Sequence, residues 1–149
     1  MPYRLETRVA VPAPLDTVFA FFSDARNLQQ ITPPFLNFRL LTPAVEMRKG
    51  ARIDYRLRLR GVPFKWQSEI TSWEPGLRFR DEQRRGPYKY WKHVHLFTAD
   101  AGGTRDTNVV LCWSITMPAD GISAATRERR LRYVAVFWQL TMVTWGAER

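Results

Sequence analysis

Residues 51–61, ARIDYRLRLRG, alternate without a break. Ile53, Tyr55, Leu57 and Leu59 fall on one parity, and Arg52, Asp54, Arg56, Arg58 and Arg60 fall on the other. Successive side chains of a strand point to opposite faces. The segment is therefore a half-buried antiparallel strand with one oily face and one wet face. A sheet built from such strands has to cover its oily face with another layer. The arginine row reads as solvated sheet surface before it reads as a binding stripe.

The neighbouring segments supply both the sheet and its cover. YRLETRVAV alternates and ends on β-branched residues, so it is a strand; NFRLL is a short one. VPFKWQSEITSW places Phe64, Trp66, Ser68 and Ile70 on one side. LRFRDEQ places Leu77, Phe79, Asp81 and Gln83 against Arg78, Arg80 and Glu82. KYWKHVHLFTA and TRDTNVVLCWSITM follow, separated by a DAGG turn. Between the first two strands, Pro14 suits the first position of a helix carrying Leu15, Val18, Phe19 and Phe22 on one face. Ser23 or Asp24 can cap a second short helix, ARNLQQI, ended by Pro33 and Pro34. Residues 127–145 contain neither proline nor glycine and are apolar on nearly all sides, which predicts one long helix. The expected class is α+β: a curved antiparallel sheet of about six to seven strands wrapped around that helix, with two short helices after the first strand. Such a wrap leaves a cavity between sheet and helix, closed at one end by the short helices.

The totals agree with one domain spanning 1–149. With 45% hydrophobic and 13% aromatic residues the chain is globular. The lone cysteine, Cys112, excludes an internal disulfide and a cysteine-built zinc site, and reads as a small buried filler. No window approaches a membrane span, and the start has no signal-like apolar run, so a cytoplasmic location is expected. The net charge of +9 is spread along strands and loops, so nucleic acid is not expected as a partner.

The chemistry is concentrated in DEQRRGPYKYWKHVHLF, which holds the only two histidines, His93 and His95. Alternation puts Trp91, His93, His95 and Phe97 on one face. Whether Asp81 and Gln83 share it depends on the turn. Pairing Gln83 with Lys89 brings them together, whereas a one-residue slip would point Lys92 inward instead. The first register is expected, because a buried ammonium group without a partner is costly. Asp81, Gln83, His93 and His95 then form an inward polar cluster whose members satisfy one another. Four readings stay open: a structural network, polar anchors for a ligand, a metal site with Asp81 as third ligand, or a histidine base oriented by Asp81. No third histidine exists, so no metal is expected.

The segments VPAPLDTVFAFFSDARNLQQITPP, GARIDYRLRLRGVPFKW, FRDEQRRGPYKYWKHVHLF and GGT resemble the START-like superfamily, also called SRPBCC or Bet v 1-like, and within it a bacterial cyclase/dehydrase-like ligand-binding branch. The resemblance runs over residues 3–104. It implies the helix-grip fold and binding of a hydrophobic or amphipathic small molecule. The expected lining is Tyr55, Trp66, Asp81, Gln83, Trp91, His93 and His95 from the sheet, with Trp138 and Met142 from the last helix. Simple core packing is an equal alternative for the aromatic members. Binding without a cofactor is preferred to catalysis. The alternatives are a cofactor-free polyketide cyclase/dehydratase using Asp81 with His93 or His95, and a lipid carrier touching membranes peripherally through its basic surface. Surplus apolar surface on the last helix would suit a homodimer.

Overall fold

The computed structural model describes residues 3–32, 34–59 and 62–115. The expected helix over 127–145, with Trp138 and Met142, lies outside the described residues. Among the described residues, seven strands form one antiparallel sheet: β1 (Tyr3–Val11), β2 (Arg39–Leu40), β3 (Arg52–Leu59), β4 (Val62–Glu74), β5 (Arg78–Arg85), β6 (Tyr88–Asp100) and β7 (Gly103–Ile115). Their spatial order is β1-β7-β6-β5-β4-β3-β2, so the chain returns to lay β7 beside β1. Two short helices, α1 (Leu15–Phe22) and α2 (Leu28–Ile31), follow β1, as expected. Pro14 is the residue before α1 rather than its first helical position. Asp24 caps the single 3-10 turn that leads into α2, its Oδ1 accepting from the Arg26 backbone N–H at 2.9 Å.

The alternation of β3 is realised. Ile53, Tyr55 and Leu57 are buried, while Arg52, Arg56 and Arg58 are exposed. On β4, Trp66, Ser68 and Ile70 are buried. The β4–β5 ladder shifts register between Gln67 and Ser68 and again between Ile70 and Ser72. The second shift inserts Thr71 and changes the inward parity, so that Trp73 packs inward against Phe19 and Phe79 at ring separations of 5.4 and 5.7 Å. Such bulges bend a strand and increase its twist, which is how a sheet of this length curves over α1. Val18 and Phe19 of α1 are buried in a cluster with Val9, Val11, Phe79 and Phe97.

Two expectations need correction. Leu77 does not face inward with Phe79; it is 45% exposed, because it closes the turn before β5, its N–H donating to the Glu74 carbonyl. Gln83 does not pair with Lys89. The β5–β6 ladder runs Asp81↔His93 and Glu82↔Lys92, two residues away from the expected register and of the same parity. The reason lies at the hairpin end. There the Gln83 side-chain amide replaces a backbone partner, accepting from the Tyr88 N–H at 3.3 Å and donating to the Tyr88 carbonyl at 2.5 Å. Tyr88 then turns its ring inward against Trp91 and Trp66, at 4.7 and 5.5 Å.

At the opposite hairpin, Asp100 pairs with Gly103 across the two-residue turn Ala101–Gly102. Gly103 lies at φ 142°, and a Cβ there would meet the Val11 carbonyl oxygen at 2.3 Å, whereas one at Gly102 would meet nothing within 4 Å. Next to it, the Thr104 hydroxyl donates to the Ala13 carbonyl at 2.8 Å and joins β7 to the exit of β1. Gly103→Ala is expected to cost about 1–3 kcal/mol in urea unfolding, and Gly102→Ala less than about 0.5 kcal/mol.

Candidate functional site

Direct pairing of Asp81 with His93, and of Phe79 with His95, places these side chains side by side on the inner face. His93 and His95 are 2% and 4% exposed, and their rings stand 4.2 Å apart. Apolar walls surround them: Phe79 stacks on His95 at 4.6 Å, and Phe22 of α1 approaches it at 5.6 Å. A narrow recess, with about 40 Å³ of free volume, lies between these groups and the two helices. Tyr55, Ser68, Asp81, His93 and His95 supply its polar wall, and Phe22, Leu28, Ile31, Ile53 and Ile70 much of its apolar wall. A second space of about 400 Å³, under the residues between β2 and β3, shares Asp24, Ala25 and Met47 with it.

Ser68 joins the polar wall to the aromatic core. Its hydroxyl accepts from the Trp66 indole N–H at 3.2 Å, lies 3.5 Å from the Tyr55 hydroxyl, and donates to Asp81 Oδ1 at 3.2 Å. The other Asp81 oxygen stands 3.5 Å from His93 Nδ1, and His93 Nε2 is 2.9 Å from Asn108 Oδ1. With that oxygen as acceptor, Nε2 carries the ring proton and Nδ1 turns its lone pair to Asp81. His95 Nδ1 lies 3.4 Å from Asp106 Oδ2; Asp106 is fully buried, and its Oδ1 makes no hydrogen bond among the described residues.

Burial pushes the Asp81 carboxyl up to about 6, against the opposing pull of the neighbouring His95 and the Ser68 hydrogen bond. Burial, then electrostatic coupling to the adjacent His95 ring, holds His93 well below the ordinary histidine value, although its bond to Asn108 acts the other way. Burial, then the Asp81 charge, lifts the Tyr55 hydroxyl well above its ordinary value. At mildly acid pH the site therefore presents a carboxylic acid beside a neutral imidazole. Neighbouring groups whose environments push them to opposite protonation states form an acid–base pair.

Of the expected lining residues, Tyr55, Asp81, His93 and His95 meet at the recess. Trp66 and Trp91 stand further along the same face and pack edge-to-face at 5.3 Å. Gln83 serves the hairpin end, as described above. Among the described residues no three histidine, cysteine, aspartate or glutamate side chains are grouped to hold a metal ion, and no helix is long and apolar enough to cross a membrane.

Residues 2–135 match the family described as polyketide cyclase / dehydrase and lipid transport. The chain belongs to this family, within the START-like (SRPBCC, Bet v 1-like) superfamily. Its fold is similar to that of the Zhui aromatase/cyclase from a Streptomyces species, with TM-score 0.75 and 19% identity over 97% of this chain and 90% of that one. A START superfamily protein from Mycobacterium smegmatis gives 0.71 at 10% identity, covering 97% of each chain. A protein from Chromobacterium violaceum gives 0.71 at 17% identity, over 98% of this chain and 96% of that one. Comparison with curated proteins gives no match.

In this START-like sheet, sequence reasoning missed Asp106 and Asn108. Both are inward on β7, opposite Phe97 and His95. The signal was present, since a two-residue turn at Ala101–Gly102 fixes the β6–β7 register and with it their parity.

The two perturbed groups of the START-like site oppose each other in their effect on stability. Between about pH 4 and 6 the unfolded chain holds its proton on residue 93, and the folded chain holds it on Asp81. Asp81, raised on folding, contributes stability that is lost as pH rises through its folded value. His93, lowered on folding, contributes stability that is lost as pH falls below its unfolded value. The pair is thus nearly pH-neutral in this window. Relative to the parent, Asp81→Asn is expected to become more stable with rising pH, and His93→Gln less stable, each by about 1.4 kcal/mol per pH unit at most. Urea midpoints at several pH values between about 4 and 7 read both slopes.

Proposed function

We propose that this START-like protein binds a hydrophobic or amphipathic small molecule on the inner face of its sheet. The polar end of the ligand sits against Ser68, Asp81, His93 and His95, and the rest of it extends past Met47 into the larger space, whose wall mixes Leu40, Val45 and Met47 with Arg26, Thr42 and Glu46. The observation that carries this reading is that the two spaces share Asp24, Ala25 and Met47 in their walls. The narrow one admits only a few heavy atoms beside hydrogen-bonding groups. The wider one, about 400 Å³, falls in the range of small-molecule sites. A few convergent polar groups in an apolar recess fix the orientation of a guest.

A second reading is favoured by one specific observation, the adjacent acid and neutral imidazole of Asp81 and His93. In a cyclase or dehydratase without a cofactor, the carboxylic acid would donate a proton to a carbonyl or departing hydroxyl oxygen, and a histidine nitrogen would accept one from carbon. The family description and the aromatase/cyclase neighbour are in keeping with this chemistry.

Native mass spectrometry of protein purified from its own host tests the binding reading. The expected result is an added mass that survives native conditions and is released in denaturant; a bare chain would contradict it. Once that molecule is in hand, His95→Gln is expected to weaken binding by about 1–3 kcal/mol if His95 only anchors it. A loss of turnover of about 100-fold or more would mark the catalytic reading.

A further inference from the structure

The two histidines of the recess differ in what they have left to offer. His93 has both ring nitrogens engaged within the sheet: Nε2 stands 2.9 Å from Asn108 Oδ1, and Nδ1 stands 3.5 Å from Asp81 Oδ2. His95 has one nitrogen engaged. Its Nδ1 lies 3.4 Å from Asp106 Oδ2, and its Nε2 makes no hydrogen bond among the described residues. Neighbouring rings restrain its plane. Phe79 and Phe97 are stacked with it at 4.6 and 5.8 Å, and Phe22 lies at 5.6 Å. His95 lines the recess, and Asp106 does not.

The burial of Asp106 needs a reason. It is fully buried on β7, and His95 is its one side-chain partner among the described residues. Fastening two strands does not account for it, because β6 and β7 are already joined by backbone pairing from Tyr88↔Ile115 to Asp100↔Gly103. An acid buried for that purpose would also be expected to use both oxygens, since an orphaned buried polar atom costs stability. Asp106 uses only Oδ2, and uses it on the ring nitrogen of His95. A carboxylate can only accept, so Nδ1 carries the ring proton and Nε2 keeps a lone pair. Which nitrogen of a histidine is protonated is set in this way by the bond that the other one makes.

We propose that Asp106 is a positioning residue that holds His95 as its Nδ1–H tautomer, so that Nε2 accepts a hydrogen bond from a hydroxyl group of the bound molecule. This rests on the binding reading above and narrows it. The polar end of the guest carries an O–H donor, as an alcohol or a phenol does. A carbonyl alone has no proton to give and would leave the Nε2 lone pair unmatched between apolar walls. His93 cannot take the same part, because its nitrogens are committed to Asn108 and Asp81.

Two measurements test the proposal. Two-bond proton–nitrogen NMR correlations of the imidazoles, recorded on the ligand-free protein at about pH 8.5, above the ordinary histidine range, read the tautomer. The expected result is a proton on Nδ1 of His95. A proton on Nε2, alone or together with one on Nδ1, would overturn the proposal, and this reading needs no variant. Asp106→Leu has nearly the same size and no acceptor, and should move the proton to Nε2; a proton that stays on Nδ1 would count against Asp106. The second measurement compares para-butylphenol with para-butyltoluene, in which a methyl group replaces the hydroxyl, by NMR titration at neutral pH. The phenol is expected to bind at least about tenfold more tightly, although the toluene is the more hydrophobic compound. In Asp106→Leu that preference should fall by about fivefold. Equal binding of the two compounds, or a preference that survives in Asp106→Leu, would overturn the proposal alone. Binding of neither would overturn it together with the binding reading.

Discussion

Asp81 faces His93 across β5 and β6 on the covered side of the sheet, and much of the remaining structure serves that placement. Two titratable groups buried together cannot both be ionised cheaply or both be left unbonded. Below about pH 6 the fold meets this by keeping the proton on the carboxyl and leaving the imidazole neutral, with Ser68 bonded to one side of the pair and Asn108 to the other. Helix α1 shields the neighbouring ring of His95 through Phe22, and the bulge at Thr71 brings Trp73 inward to brace Phe79 beneath it. Polar groups enclosed by apolar walls in this way act more strongly than they would in water, on a bound carbonyl as on one another.

The alternation in residues 51–60 and the DAGG turn made the sheet legible before its coordinates, and parity alone put Asp81, His93 and His95 on one face. The pairing itself was less legible. Gln83 reads as an ordinary strand residue, yet its amide stands in for a backbone partner of Tyr88 and moves the ladder by two positions. That shift matters chemically: it sets Asp81 opposite His93 where the shorter hairpin would have set it opposite Trp91. Leu77 was misplaced because hydropathy carries the strand pattern into a turn that backbone hydrogen bonding closes one residue later. Asp106 and Asn108 were missed for the opposite reason. Charged and amide side chains in TRDTNVV look solvated, and only the hairpin register shows that they are buried.

Membership of the polyketide cyclase / dehydrase and lipid transport family fits a site that can hold a molecule or alter it. The two proposals differ in what Asp81 does. As an anchor it gives and receives hydrogen bonds; as an acid it releases its proton to the guest. The wider space beside Met47 suits either role.

Carbon-13 NMR of the Asp81 side-chain carboxyl, followed together with the imidazole nitrogens of His93 through a pH titration, measures the central claim directly. Asp81 is expected to titrate with a midpoint at about 6 while His93 stays neutral across the same range. A carboxyl midpoint near the ordinary value of about 4, or a cationic His93 at neutral pH, would contradict the account.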